Sequence, residues 1–112
     1  MSTEDELARR RDEIVARISA MARDFAEMVT ATEGSNADDE HDPEGTTIAF
    51  ERQQLVSLLE EAQRRLVDLD HAIGQVGDGT YGACEKCGGA IGAERLAARP
   101  DARACMDCVR SQ

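Results

Sequence analysis

The 112-residue chain carries 23 acidic and 13 basic side chains, a net charge of −10, with three aromatics (Phe25, Phe50, Tyr81) and no tryptophan. This length and composition allow one small domain with a small appendage and exclude a large enclosed core. So acidic a chain is poorly suited to gripping phosphates, so no direct sequence-specific DNA binding is expected and a basic protein groove is the better partner. With no run of 18 apolar residues to span a membrane, and no apolar segment at its start, it is expected in the cytoplasm.

Ser2-Thr3-Glu4-Asp5-Glu6 reads as a helix start, with Thr3 and Glu6 at capping-box spacing and acids in the first turn complementing the helix dipole. Apolar residues follow at Leu7, Ile14, Ile18, Met21, Phe25 and Met28, in steps of 7, 4, 3, 4 and 3. This is a heptad seam interrupted only at Arg11, whose long stem can reach water near an open end. Val15, Ala22 and Val29 widen the stripe, and Gly34 is a stop signal.

Residues 33–47 hold six acids and no base, the composition of a loop. Asp42 before Pro43 reads as an N-cap and first helical residue. A second seam then runs through Ile48, Leu55, Leu59, Ala62, Leu66, Leu69, Ile73 and Val76, until Gly74, Gly77 and Gly79 end it. Two seams of similar length joined by a short loop predict an antiparallel hairpin of helices, each of roughly 27–30 residues and about 40–45 Å. His71 should face outward, between seam positions Leu69 and Ile73.

The remainder is organised by Cys84-Glu85-Lys86-Cys87 and Cys105-Met106-Asp107-Cys108, separated by 17 residues. Two such knuckles can bring four thiolates to the corners of a tetrahedron, the arrangement of one structural zinc ion, and Gly88-Gly89 supplies a tight turn after the first. Disulfides, a redox dithiol and an open catalytic zinc are the rival readings. The first needs an oxidising compartment, the second a βαβ setting, and the third usually a histidine ligand. Metal binding worth roughly 10–16 kcal/mol would exceed the stability of most small domains, so zinc removal should unfold at least the C-terminal part. Between the knuckles Ile91 and Leu96 are the sizeable apolar residues, and Arg99-Pro100 ends a short helix over Glu94 to Ala98. The tail 109–112 is too short to add an independent element.

The expected fold is therefore mainly α: a long antiparallel two-helix coiled-coil hairpin over 1–77, with an acidic tip at 34–47, and a small four-cysteine zinc-finger module over 78–112. Zinc and acids should lie at opposite ends.

With the knuckles following the heptad hairpin, the chain resembles the DksA/TraR family of bacterial zinc-finger transcription factors. The resemblance is carried by Asp78-Gly79-Thr80-Tyr81-Gly82-Ala83-Cys84-Glu85-Lys86-Cys87-Gly88, by Ile91-Gly92-Ala93-Glu94-Arg95-Leu96-Ala97-Ala98-Arg99-Pro100 and by Cys105-Met106-Asp107-Cys108. It implies a non-enzymatic regulator of initiation that binds bacterial RNA polymerase directly. The zinc module, with Arg95 and Arg99, would dock on the rim of the secondary channel, and the hairpin tip would enter it. Asp39 and Asp42 have the family's Asp-x-x-Asp spacing. Glu44 stands where the pattern has alanine, and ungapped counting from Cys84 puts His41 and Glu44 at the aspartate positions. Several members respond to guanosine tetraphosphate through basic residues. The corresponding places here hold Asp68, Val109 and Arg99, and an acid beside a phosphate argues against that ligand. Two other functions fit the same residues: a Gre-like transcript cleavage stimulator, whose tip acids hold magnesium, and a coiled-coil adaptor stapled by zinc.

Overall fold

A computed structural model describes residues 2–34 and 43–111, with side chains over 2–31 and 46–111. Four helices follow in chain order: α1 (Thr3–Gly34), α2 (Pro43–Asp78), α3 (Ala93–Ala98) and α4 (Met106–Arg110). The described residues contain no strand, only one isolated antiparallel bridge between Ala83 and Ala90. The fold is mainly α, as the heptads predict, and α1 and α2 are longer than expected, at 32 and 36 residues.

The start of α1 differs in its cap. Ser2, not Thr3, closes the first turn: Asp5 N–H donates to Ser2 Oγ at 3.1 Å. Glu6 is not turned back to the cap because Arg9 and Arg10, one turn on, hold its carboxylate at 2.6 and 2.9 Å. At the start of α2, Pro43 is the first helical residue, as its fixed φ favours. Residues 43–47 of the acidic stretch therefore belong to the helix.

The end of α2 is also corrected. Gly74 and Gly77 do not stop the helix, which runs on to Asp78. A helix interior tolerates glycine at about 1 kcal/mol each, and Ile73 and Val76 pack against a buried cluster in this same turn. The true stop is Gly79, at φ +79. Its N–H donates to Val76 O at 3.4 Å and Thr80 N–H donates to Gln75 O at 2.9 Å, the paired bonds of a Schellman termination that requires a left-handed residue.

The chain divides into two compact units, one formed by Met1–Ile14 with Arg64–Gln112 and the other by Val15–Gln63. In the first, the opening turns of α1 run antiparallel to the closing turns of α2. Leu7 and Leu69 are fully buried there with Ala72, and Ile14, Ile73, Val76 and Tyr81 pack around them. Arg11, which breaks the seam, spans the pair and places Nε 2.5 Å from Asp70 Oδ1. A second cluster, Cys84, Ile91 and Ala102, forms the heart of the finger.

In the second unit the seam residues Ile18, Met21, Phe25, Met28, Leu55 and Leu59 are half-buried, and Ala62 is buried. Val15 and Ala22 do not widen the buried stripe, since both are exposed. Phe50 and Leu58, outside the seam, are 70% and 50% exposed.

Candidate metal centre and its seat on the second helix

Glycines build the first knuckle. Gly82 and Gly88 adopt φ +92 and +75, which side-chain-bearing residues rarely take. The chain doubles back so that Cys84 N–H donates to Gly89 O at 2.8 Å, Gly88 N–H to Cys84 O at 3.0 Å and Ile91 N–H to Gly82 O at 2.8 Å. The second knuckle has no glycine and uses a helix instead. Cys105 is the extended residue that opens α4, and Val109 N–H donates to its carbonyl at 3.0 Å. The tail forms no element of its own, Val109 and Arg110 ending the short helix that starts at Met106.

This local folding brings the sulfurs of Cys84, Cys87, Cys105 and Cys108 within 4.8 Å of one another. Sulfurs of Cys87 and Cys105 are 3.8 Å apart, close to the roughly 3.8 Å that tetrahedral Zn–S bonds of about 2.3 Å impose. Backbone N–H groups point at the cluster: Cys105 N–H reaches Cys84 Sγ and Gly89 N–H reaches Cys87 Sγ, each at 3.4 Å. Such donors favour thiolate. Hydrogen bonds from the Cys87 and Cys105 backbone pull the Cys84 thiol down to about 6, while the sulfurs of Cys105, Cys84 and Cys87 push Cys108 up to about 12. Four sulfurs this close cannot all ionise without a cation between them. The donor set fits a single thiophilic metal ion with no ligand position left for water.

The finger is seated on α2 by charge. Arg65, Asp68 and His71 recur every third residue along that helix; Arg65 and Asp68 each meet an opposite charge, and His71 meets a carboxylate. Arg65 Nε lies 2.7 Å from Asp101 Oδ2, Arg103 Nε donates to Asp68 Oδ1 at 2.7 Å, and His71 Nε2 is 3.0 Å from Glu85 Oε1. Glu85 also accepts from Arg103 Nη1 at 3.3 Å. His71 is therefore not the unengaged outward histidine its seam position suggests. Tyr81 adds a neutral tie, its hydroxyl donating to Pro100 O at 2.7 Å. Burial and the nearby Asp101 carboxylate push the Tyr81 phenol up.

The two rim candidates differ. Arg95 is spent internally, its Nε donating to Ala104 O at 2.8 Å and Nη1 lying 3.1 Å from Met106 Sδ. Arg99 closes α3 with its side chain 49% exposed. Asp39, Asp42 and His41 lie outside the described residues. Glu44 falls in the first turn of α2, and its side chain is likewise outside the description.

Residues 79–111 match the sequence model of the prokaryotic dksA/traR C4-type zinc finger. Residues 79–111 are thus similar to the C4-type zinc finger of that family, and the four-cysteine cluster is positioned to hold one zinc ion. Among curated proteins, the RNA polymerase-binding transcription factor DksA of Escherichia coli is 41% identical over 49 residues, 43% of this chain and 32% of that protein. An uncharacterized protein of Bacillus subtilis, YteA, is 36% identical over 67 residues, 60% of this chain and 28% of the relative. The matches thus span about a third or less of these relatives. The structure of transcription factor DksA2 from Pseudomonas aeruginosa is similar over 98% of this chain and 79% of that one, with a TM-score of 0.78 and 29% identity. That likeness takes in α1 and α2 as well as the finger. No helix among the described residues is long and apolar enough to cross a membrane.

Proposed function

We propose that this chain regulates transcription by binding bacterial RNA polymerase directly, without catalysing a reaction of its own. The observation that carries the reading is twofold: residues 79–111 match the dksA/traR C4-type zinc finger, and the fold is similar to that of transcription factor DksA2 over 98% of the chain. Cys84, Cys87, Cys105 and Cys108 hold one zinc ion whose role is structural, since four sulfur donors complete its tetrahedron. Zinc-finger surface docks on the rim of the polymerase secondary channel, with Arg99 the contact and Arg95 its internal brace. Asp39, Asp42 and Glu44 act at the active centre from within the channel, where acids meet basic protein surface. Glu44 gives this tip a third carboxylate in place of the family's alanine.

Guanosine tetraphosphate is not a ligand in this reading. Asp68 presents a carboxylate where a phosphate would be held, and that carboxylate already accepts a bond from Arg103. The site is acting as a cytoplasmic protein–protein contact rather than a nucleotide receptor.

Pull-down of the zinc-loaded chain with bacterial core RNA polymerase, in competition with a Gre-type factor, tests the docking. Capture that the competitor displaces is expected. An Asp39→Asn/Asp42→Asn variant should still be captured but leave promoter output unchanged in a transcription assay. Failure of the wild-type chain to bind would sink the polymerase reading and favour the adaptor, for which exposed Phe50 and Leu58 offer apolar contact. Stimulated transcript cleavage would instead identify a Gre-like activity.

A further inference from the structure

Asp101 is a carboxylate entirely out of water, with a side-chain exposure of 0%. Neither of its oxygens accepts a hydrogen bond. A buried carboxylate in that state is unfavourable by several kcal/mol unless cations compensate it, and two do. Arg65 Nε, from α2, stands 2.7 Å from Oδ2, short but not aligned as a hydrogen bond, and Arg99 Nε stands 3.9 Å from Oδ1. The attraction is ionic and undirected on both sides.

The backbone here does not need that carboxylate. Arg99 N–H donates to Arg95 O at 2.7 Å and Ala102 N–H to Arg99 O at 3.0 Å, while Tyr81 holds Pro100 O at 2.7 Å. What the Asp101 side chain adds is its pull on Arg65, whose Nε is buried although 33% of its side chain is exposed, and on Arg99, with 49% of its side chain exposed. Among the described residues, Arg95 and Arg103 are anchored by side-chain hydrogen bonds and Arg99 is not. Without Asp101 the Arg99 stem would be left to its rotamers.

We propose that Asp101 is a positioning residue, whose buried charge holds the Arg99 guanidinium in the orientation that meets RNA polymerase. This rests on the polymerase reading above. The isostere Asp101→Asn removes the buried charge but keeps an amide oxygen where Asp101 Oδ2 faces the buried Arg65 Nε, so the fold and the zinc content should survive.

Two measurements on the zinc-loaded full chain test it. In the isolated protein, side-chain Nε–H relaxation by NMR should show Arg99 more ordered than exposed Arg17, and Asp101→Asn should abolish that difference while the backbone spectrum of the finger stays in place. In binding to core polymerase, Asp101→Asn should weaken affinity by roughly fivefold, the scale of ordering one long side chain on association. The same change should have no further effect in an Arg99→Ala background, because it acts through Arg99.

Equal mobility of Arg99 and Arg17 in the wild-type chain overturns the proposal, and that arm stands even if Asp101→Asn fails to fold. Undiminished binding by Asp101→Asn, or an equal loss in both backgrounds, overturns it as well, the latter revealing a purely structural role. Absence of wild-type binding overturns the polymerase reading and Arg99's target with it, whereas Arg99 mobility separately decides whether Asp101 holds the side chain.

Discussion

Glu6 shows how much a single turn of helix can do with charge. Its two oxygens take Arg9 through Nη2 at 2.6 Å and Nε at 3.1 Å, and Arg10 through Nε at 2.9 Å. Those hydrogen bonds, Arg9 first, hold the carboxyl at about 2 against an ordinary 4.5. Because the folded state binds this proton more weakly than the unfolded one, the contribution to stability is complete above about pH 4.5 and disappears as the pH falls toward 2. Acid titration of the melting temperature over that window should therefore fall more steeply for the wild-type chain than for Glu6→Gln, and parallel curves would refute the assignment. In the sequence Glu6 already stood in a first turn rich in acids. Its partners were ambiguous because capping and i,i+3 or i,i+4 pairing compete for the same carboxylate, and two arginines outweigh one backbone N–H.

Glycine chemistry at the end of α2 separates two roles that look alike in the sequence. Gly77 is helical, and a methyl added there meets nothing within 4 Å, whereas Gly79 has φ +79. Gly77→Ala is expected to stabilise the chain by about 0.5–1 kcal/mol and Gly79→Ala to destabilise it by about 1 kcal/mol or more. Denaturant unfolding checks both, and shifts of the same sign would contradict the termination described. The face of α2 toward the finger makes a similar point. Arg65, Asp68 and His71 are legible as polar non-seam positions, but their pairing with Asp101, Arg103 and Glu85 is not. It joins residues 14–36 apart in sequence, and no local rule links them.

Within the unit that holds the finger, two small buried clusters, one around Leu7 and Leu69 and one around Cys84 and Ile91, stand in for a large core. The second has little apolar mass of its own, and its buried cysteine belongs to the sulfur set. Metal binding of roughly 10–16 kcal/mol therefore governs its folding. Purified protein should contain one zinc per chain. Chelation should collapse amide dispersion over 79–111 in the NMR spectrum and restore it on adding zinc back. Retention of the finger spectrum without metal would remove zinc from its structural role.

By itself the sequence determined the fold class, through heptad steps that only a helix turns into a continuous seam, and the metal set, through two knuckles whose spacing leaves few other uses for four cysteines. The start of α2 at Pro43 and the turn at Gly88 were equally local, set by φ preferences that need no distant partner. Tertiary structure alone decided that Arg95 braces the finger while Arg99 faces water, that Asp101 is buried against Arg65, and that Asp68 serves Arg103. Each of these depends on which charged groups share one small volume after folding, where desolvation makes an unpaired charge costly and so selects partners that sequence distance conceals.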